Sequence, residues 1–503
     1  MSNPSKDSYS EILRSSSIIG GARAINLVIG LVRTKVVAVL LGPSGIGLIS
    51  LYQSAMALTG MISGLGIVPS GVRQVAEAKG LGDQDRIGRT VRILWRTCWL
   101  TGFLGVILSA ALARPISEWI FGNTERAWLV GLLGLTLLMG SISGGQSAVI
   151  QGMRRIGDLA RLNIFSAITG TLISVGFYSF MGEQGIVPVL LIMAAVNMII
   201  SLWMVKRVSI PYAKITWRET IGETWNLISL GLAFMWSGLL LAGFDLGARG
   251  LITQGYGTEG NGIYQAAWAI SGVFAGFILE AMGADFYPRL TAVANDNEQI
   301  NKIVNEQTEI GILLALPGLL TTLVLSEWII RIFYTTEFGE AASLLQWFVL
   351  GIFGKVISWP LGFIQLAKGA SLCFAVTETV AVGIHFIMVL VGLKWLGLSG
   401  VAIAFAVLYG LYTIGMLVVA FRLTRFHWCK EVFELFSIAV VLIFITFLLV
   451  RLAPECILRI IGAGIVAGTS LYCLRQLTIR LGTDHRICKM ILRIPLVGER
   501  IAK

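Results

Sequence analysis

Apolar stretches close to the roughly 20 residues that a helix needs to cross a hydrocarbon core of about 30 Å recur from one end of this 503-residue chain to the other. No long hydrophilic block separates them. Delimited by charged residues and by Gly/Pro punctuation, the runs place helices near 17–41, 46–68, 93–113, 127–150, 159–180 and 184–205. A second set follows at 226–248, 261–283, 308–330, 341–366, 374–393 and 398–421, and two more at 432–450 and 457–474. The expected fold is an all-α integral membrane protein of about fourteen transmembrane helices. Composition agrees: 56% of residues are hydrophobic and 13% charged, about half the roughly 25% charged residues of a soluble domain. So few charges cannot cover the surface of a water-soluble protein of this length.

A net charge of +11 raises the question of nucleic acid, and the positions of the charges answer it. Lys and Arg concentrate in every second loop: 27 fall on the side of the two tails and 7 on the other. Such alternation is the positive-inside pattern. It places both termini in the cytoplasm of a multi-pass protein of a bacterial inner membrane and leaves no basic face for nucleic acid. The polar segment before the first span lacks a convincing cleavage site, so the first helix reads as uncleaved. Of six cysteines, only Cys456 falls at the outer face, so no disulfide pair is expected there.

The sequence repeats itself. Tyr52-Gln53-Ser54-Ala55 in the second span returns as Tyr264-Gln265-Ala266-Ala267 in the eighth, and Gly60 and Gly64 return as Gly272 and Gly276. Ser117-Glu118-Trp119-Ile120 is echoed by Ser326-Glu327-Trp328-Ile329, and Ile150-Gln151 by Ile364-Gln365. Six spans per copy leave both copies in the same orientation, which predicts two lobes about a pseudo-two-fold axis along the membrane normal, with a site between them. The expected organisation is a tail at 1–16, a first lobe at 17–207, a linker at 208–225 and a second lobe at 226–425. Two further helices follow at 426–475, then a basic tail at 476–503.

Leu41-Gly42-Pro43-Ser44-Gly45-Ile46-Gly47 after the first span, Gln151-Gly152-Met153-Arg154-Arg155 after the fourth, and the doubled six-helix plan carry a resemblance. Over residues 15–425 the chain resembles the polysaccharide-transporter branch of the multidrug/oligosaccharidyl-lipid/polysaccharide (MOP) exporter superfamily. That resemblance implies a flippase that moves undecaprenyl-diphosphate-linked oligosaccharides, such as O-antigen repeat units, by alternating access. Membrane lipids, a glycan polymerase and a chain-length regulator are its candidate partners. The two extra helices look like those of lipid II flippases, which stay open as a reading, as does a cation-coupled multidrug exporter of the same superfamily.

Charges inside the spans are the candidate functional residues, because each costs about 2.5–3.5 kcal/mol or more at a helix centre unless it meets water or a partner. Arg23 and Arg33 lie about 80° apart on the first helix, with Asn26 on or beside the same arc. Lys355 stands near the middle of the tenth span. Arg grips phosphate oxygens bidentately, so Arg23, Asn26, Arg33 and Lys355 are expected to line a cationic substrate cavity, with Lys35, Arg96 and Arg249 as further candidates. Asp245, Glu280 and Glu378 are the candidates for ion coupling. His385 reads as a packed polar residue. No phosphate-binding loop ending in Gly-Lys-Ser/Thr occurs, and the three histidines are too scattered for a metal site. The chain reads as a transporter rather than an enzyme, without cofactor or metal.

Overall fold

Glycine breaks, rather than loops, divide the two longest helices. The computed structural model describes residues 4–481, and their side chains except at 4–20, 221, 224–234, 274–275, 277–278, 280–285, 455–459 and 481. Cys488 and the side chains of Glu280 and Cys456 thus lie outside the described residues, with most of the basic tail. The elements are α1 (Pro4–Gly64), α2 (Ile67–Gly80), α3 (Gln84–Phe121), α4 (Ala127–Leu132), α5 (Gly134–Gly152), α6 (Ile156–Met181) and α7 (Ile186–Val205). There follow α8 (Trp217–Ala292), α9 (Asn297–Val324), α10 (Ser326–Phe333), α11 (Glu340–Ala367), α12 (Ser371–Leu396), α13 (Ser399–Thr424), α14 (Lys430–Leu452) and α15 (Glu455–Leu481). No strand occurs among the described residues.

Within α1, Gly42 takes φ 61°, ψ −168°; within α8, Gly257 takes φ 68°, ψ −175°. Both values lie where a Cβ is not tolerated, so glycine is required at each. At Gly42 the following Pro43 starts the next helix at a position where its missing N–H leaves no bond unmade. With α1 and α8 each counted as two segments, and α3, α5, α6, α7, α9 and α11 to α15 as one each, the described residues hold fourteen helical segments of spanning length. Ten stretches pass on length and apolarity alone, two of them, 21–64 and 156–205, each containing two segments.

The helices overrun the expected spans. Asp83 caps α3 by accepting from Arg86 N at 3.1 Å, and Asp296 caps α9 through Glu298 N and Gln299 N. Each starts its helix about ten residues before the apolar run, because an Asp cap and not the membrane surface sets a helix start. The seventh span, expected to stop at 248, runs on to the break at Gly257. Arg249 does not end it: one turn back, Asp245 pairs with it, so the charge is neutralised along the helix.

The chain divides into two compact units. Unit 1 comprises residues 1–262 with 333–335, and unit 2 comprises 263–332 with 336–503. In unit 1 a core of Val75, Leu94, Val149, Ile150 and Met204 joins α2, α3, α5 and α7. Segment 210–220 lies along the basic face of α3. Gly88 meets the Pro211 carbonyl, Arg92 stacks 4.5 Å from the Tyr212 ring centroid, and Ile93 packs with Ala213 and Ile215. In unit 2, Phe286, Leu290, Val304, Leu361, Ile364 and Met416 form a core. Gly351 and Gly354 let α11 close on Phe405 and Tyr409 of α13. Both C-terminal helices pack on α9 within this unit, with Arg480 bridged to Glu309 at 2.9 Å and Phe447 against Trp347 at 4.7 Å.

Candidate functional site

Asn26 and Arg33 are seven residues apart on α1, hence on one face and about 10 Å apart along the axis. That face borders a cavity of about 600 Å³ in unit 1, between α1, α6 and α7, which also takes in Met56 and Thr136. On α6, Asn163, Ser166, Ala167 and Gly170 recur at helical spacing, and on α7 Leu190, Met193, Ala194 and Asn197 do the same, so each helix turns one stripe to the cavity. Arg33 Nη2 donates to Met193 Sδ at 3.5 Å. Gly170 leaves room there, since a Cβ would lie 2.9 Å from Met193 Cε and 3.9 Å from Arg33 Nη1. Among the described residues no carboxylate pairs with Arg33. A guanidinium held in an apolar helix without a counter-charge is a place for an anion.

The other expected residues of unit 1 are held by their neighbours. Arg23 is exposed. Lys35 donates through Nζ to the Tyr334 carbonyl. Arg96 donates to Thr220 Oγ1 at 2.9 Å and to the Thr216 carbonyl at 3.3 Å, stacking 4.6 Å from the Trp217 ring. Arg249, 4% exposed, donates from Nε to both Asp245 oxygens at 2.9 and 3.0 Å, and Ser54 Oγ donates to Asp245 Oδ2. Asp245 and Arg249, drawn from two different expected roles, thus meet as an i,i+4 ion pair.

In unit 2, Lys355 lies 5.9 Å from the centroid of Tyr409 and within range of the Glu378 charge. Tyr412 donates its hydroxyl to Glu378 Oε1 at 2.7 Å, and the two tyrosines pack edge to face at 6.0 Å. One cation and one acid, from α11 and α12, therefore share a wall of tyrosines from α13. His385 is 8% exposed and lies against Phe405 at 5.9 Å.

One relationship was missed by reading the sequence. The breaks in α1 and α8 open identically spaced runs, Gly42-x-x-Gly45-x-Gly47 and Gly257-x-x-Gly260-x-Gly262, and the two runs cross. A Cβ on Gly47 would strike the Thr258 carbonyl and one on Gly262 the Pro43 carbonyl. Ser44 and Thr258 share a hydroxyl bond at 3.0 Å. Asn261, fully buried, donates to the Gly47 carbonyl at 2.9 Å and to Ser50 Oγ at 2.8 Å. The signal lay in the glycine spacing, at an offset of 215 residues rather than the 212 of the Tyr-Gln echo.

Comparison with known proteins adds the family context. The profile of a family described as polysaccharide biosynthesis protein matches residues 36–343. The lipid III flippase of Escherichia coli (strain K12) is 25% identical over 396 residues, 76% of this chain and 92% of its own length. The probable low-salt glycan biosynthesis flippase Agl15 of Haloferax volcanii is 21% identical over 408 residues, 77% of this chain and 80% of the relative. Among solved structures, the inward closed conformation of the lipid II flippase MurJ aligns with TM-score 0.68 at 15% identity, covering 93% of this chain and 99% of that one. An inward-facing MATE family transporter of the MOP superfamily aligns with TM-score 0.66 at 14% identity, covering 82% and 96%. At such identities these two likenesses establish the fold.

Proposed function

The chain belongs to the polysaccharide biosynthesis protein family, and from that premise we propose that it is a flippase for lipid-linked oligosaccharides. Its substrate is an undecaprenyl-diphosphate-linked unit of a surface glycan, O-antigen or similar, carried across a bacterial inner membrane. The observation that carries this reading is Arg33: a guanidinium in a membrane helix, beside a polar cavity, with no carboxylate partner among the described residues. Its charge costs about 2.5–3.5 kcal/mol against lipid, and a bound diphosphate offsets that cost through charge-assisted, bidentate hydrogen bonds. The flippase names of the relatives support the same class of substrate.

Lobes at 17–207 and 226–425 alternate access around the substrate with both termini in the cytoplasm, a reading that the 27-to-7 distribution of Lys and Arg supports. A glycan polymerase and a chain-length regulator take the product on the far side. One observation favours a second reading, cation-coupled drug export: Glu378 among tyrosines is the surrounding a cationic drug selects. Surface glycan in a strain lacking its own flippase tests the first reading. The wild-type chain restores export, Arg33→Lys restores part of it, and Arg33→Glu restores none at equal abundance. Restoration by Arg33→Glu, or none by the wild type alongside lowered accumulation of a cationic dye, overturns it.

A further inference from the structure

The cavity beside Arg33 has the wrong chemistry for a phosphate. None of its lining residues is charged. Its polar groups are amides and hydroxyls, and they differ in how far they are already engaged. Ser166 Oγ donates to Asn197 Oδ1 at 2.7 Å, and the Asn197 amide reaches Ser143 Oγ only at 3.5 Å. Asn163 is exposed to the cavity, with no hydrogen bond among the described residues. Asn26 Oδ1 is buried without a partner among them.

A diphosphate only accepts hydrogen bonds and needs cations or a field of donors around it. A carboxamide offers donor and acceptor side by side, which matches a group that both gives and takes hydrogen bonds, such as a sugar hydroxyl or an acetamido substituent. A volume of about 600 Å³ lies within the ordinary range of about 300–1,000 Å³ for small-ligand cavities. The cavity runs from Met193 and Gly170, beside Arg33, to Asn26 two helical turns away on the same face of α1. A glycan joined to the lipid through a diphosphate presents its charge and its first sugars in that order.

We propose that this unit 1 cavity, with Asn26, Asn163 and Asn197 as its principal contacts, is a saccharide subsite that binds the sugars of the lipid-linked substrate while Arg33 holds the diphosphate. The proposal rests on the flippase reading and goes beyond it: it divides recognition of one substrate between an amide-lined cavity and a cation. It also predicts that specificity for the sugar resides in α1, α6 and α7.

The test uses the full-length chain in nanodiscs and two probes, undecaprenyl diphosphate and the same lipid carrying a short oligosaccharide with an N-acetylated sugar. The wild type binds the sugar-bearing lipid about tenfold tighter, as two or three net hydrogen bonds give. Asn163→Leu, at a position whose side chain has no bond to break among the described residues, lowers that preference to about twofold or less, and the loss is confined to the sugar-bearing probe. Asn26→Leu acts in the same sense and guards against a fault peculiar to one variant. Arg33→Ala weakens both probes alike. Equal binding of the two probes by the wild type, or a sugar preference untouched by both leucine variants, overturns the saccharide subsite and leaves the flippase reading standing. Failure of the wild type to bind either lipid overturns both.

Discussion

Gly47 and Gly262 occupy equivalent places in two crossing glycine runs, each pressed against a backbone carbonyl of the other run, at Thr258 and Pro43. Because the obstacle in each case is backbone, neither side can yield as a flexible side chain would. Alanine at either position is expected to cost about 1–3 kcal/mol or more through overpacking, read as a lowered Tm of the purified protein. Gly64, with nothing within 4 Å, serves as the control and should accept alanine with little change. Equal Tm values for all three variants would show that the crossing is not a close contact.

Asp245 and Arg249 make the same kind of argument with charge. The pair is buried on the arginine side, with side-chain exposures of 5% for Arg249 and 32% for Asp245. Arg249→Leu leaves the partly exposed Asp245 carboxylate in an apolar helix with Ser54 beside it, which costs less than the roughly 3–5 kcal/mol of a fully buried broken pair. Adding Asp245→Asn removes the stranded charge, so the double variant should recover most of the lost abundance and Tm. A double variant no better than the single one would mean that the arginine acts through packing alone.

The start of α8 carries a pH-sensitive cap in the segment outside the spans. Glu219 Oε2 accepts from Thr216 N and Oγ1, both at 2.8 Å, and Glu219 N donates back to Thr216 Oγ1 at 3.3 Å, a reciprocal capping box. Oε1 pairs with Arg89 of α3 at 3.3 Å. The Thr216 amide and hydroxyl, and then Arg89, hold the Glu219 carboxyl below its ordinary value. A depressed carboxylate stabilises the folded state fully above the unfolded value, about 4.3, and this contribution fades as pH falls through the lower folded value. Amide exchange at the first turn of α8, corrected for intrinsic rates, should be slow at neutral pH and accelerate below about pH 4. In Glu219→Gln it should be faster at neutral pH and lack that acid step. An acid step that persists in the variant assigns it to another group.

The sequence was most legible where the bilayer dictates the pattern. Spans and helical class follow from apolar length. Boundaries are less legible, because Asp83 and Asp296 start helices well before the apolar runs and the helix that carries Arg249 continues past it. A charge ends a span only when unpaired, and Asp245 one turn earlier removes that condition. The cations Arg89, Arg92 and Arg96 stand at helical spacing on α3, yet their partners at 212–220 come from a distant segment that periodicity cannot locate. Asn163, Ser166 and Asn197 were discoverable as polar positions recurring on one face of apolar helices. Weighing charges alone passed over them, although uncharged amides are affordable in a membrane and specific once buried.

Transport by the isolated chain is the most direct test. The full-length protein is reconstituted into liposomes with a fluorescent undecaprenyl-diphosphate-linked oligosaccharide, and the lipid in the outer leaflet is followed with an impermeant quencher. The wild type should speed movement between leaflets above protein-free vesicles, Arg33→Lys should retain part of that rate, and Arg33→Glu should return it to background. Movement no faster than in protein-free vesicles, or an Arg33→Glu protein as fast as the wild type, would contradict the account.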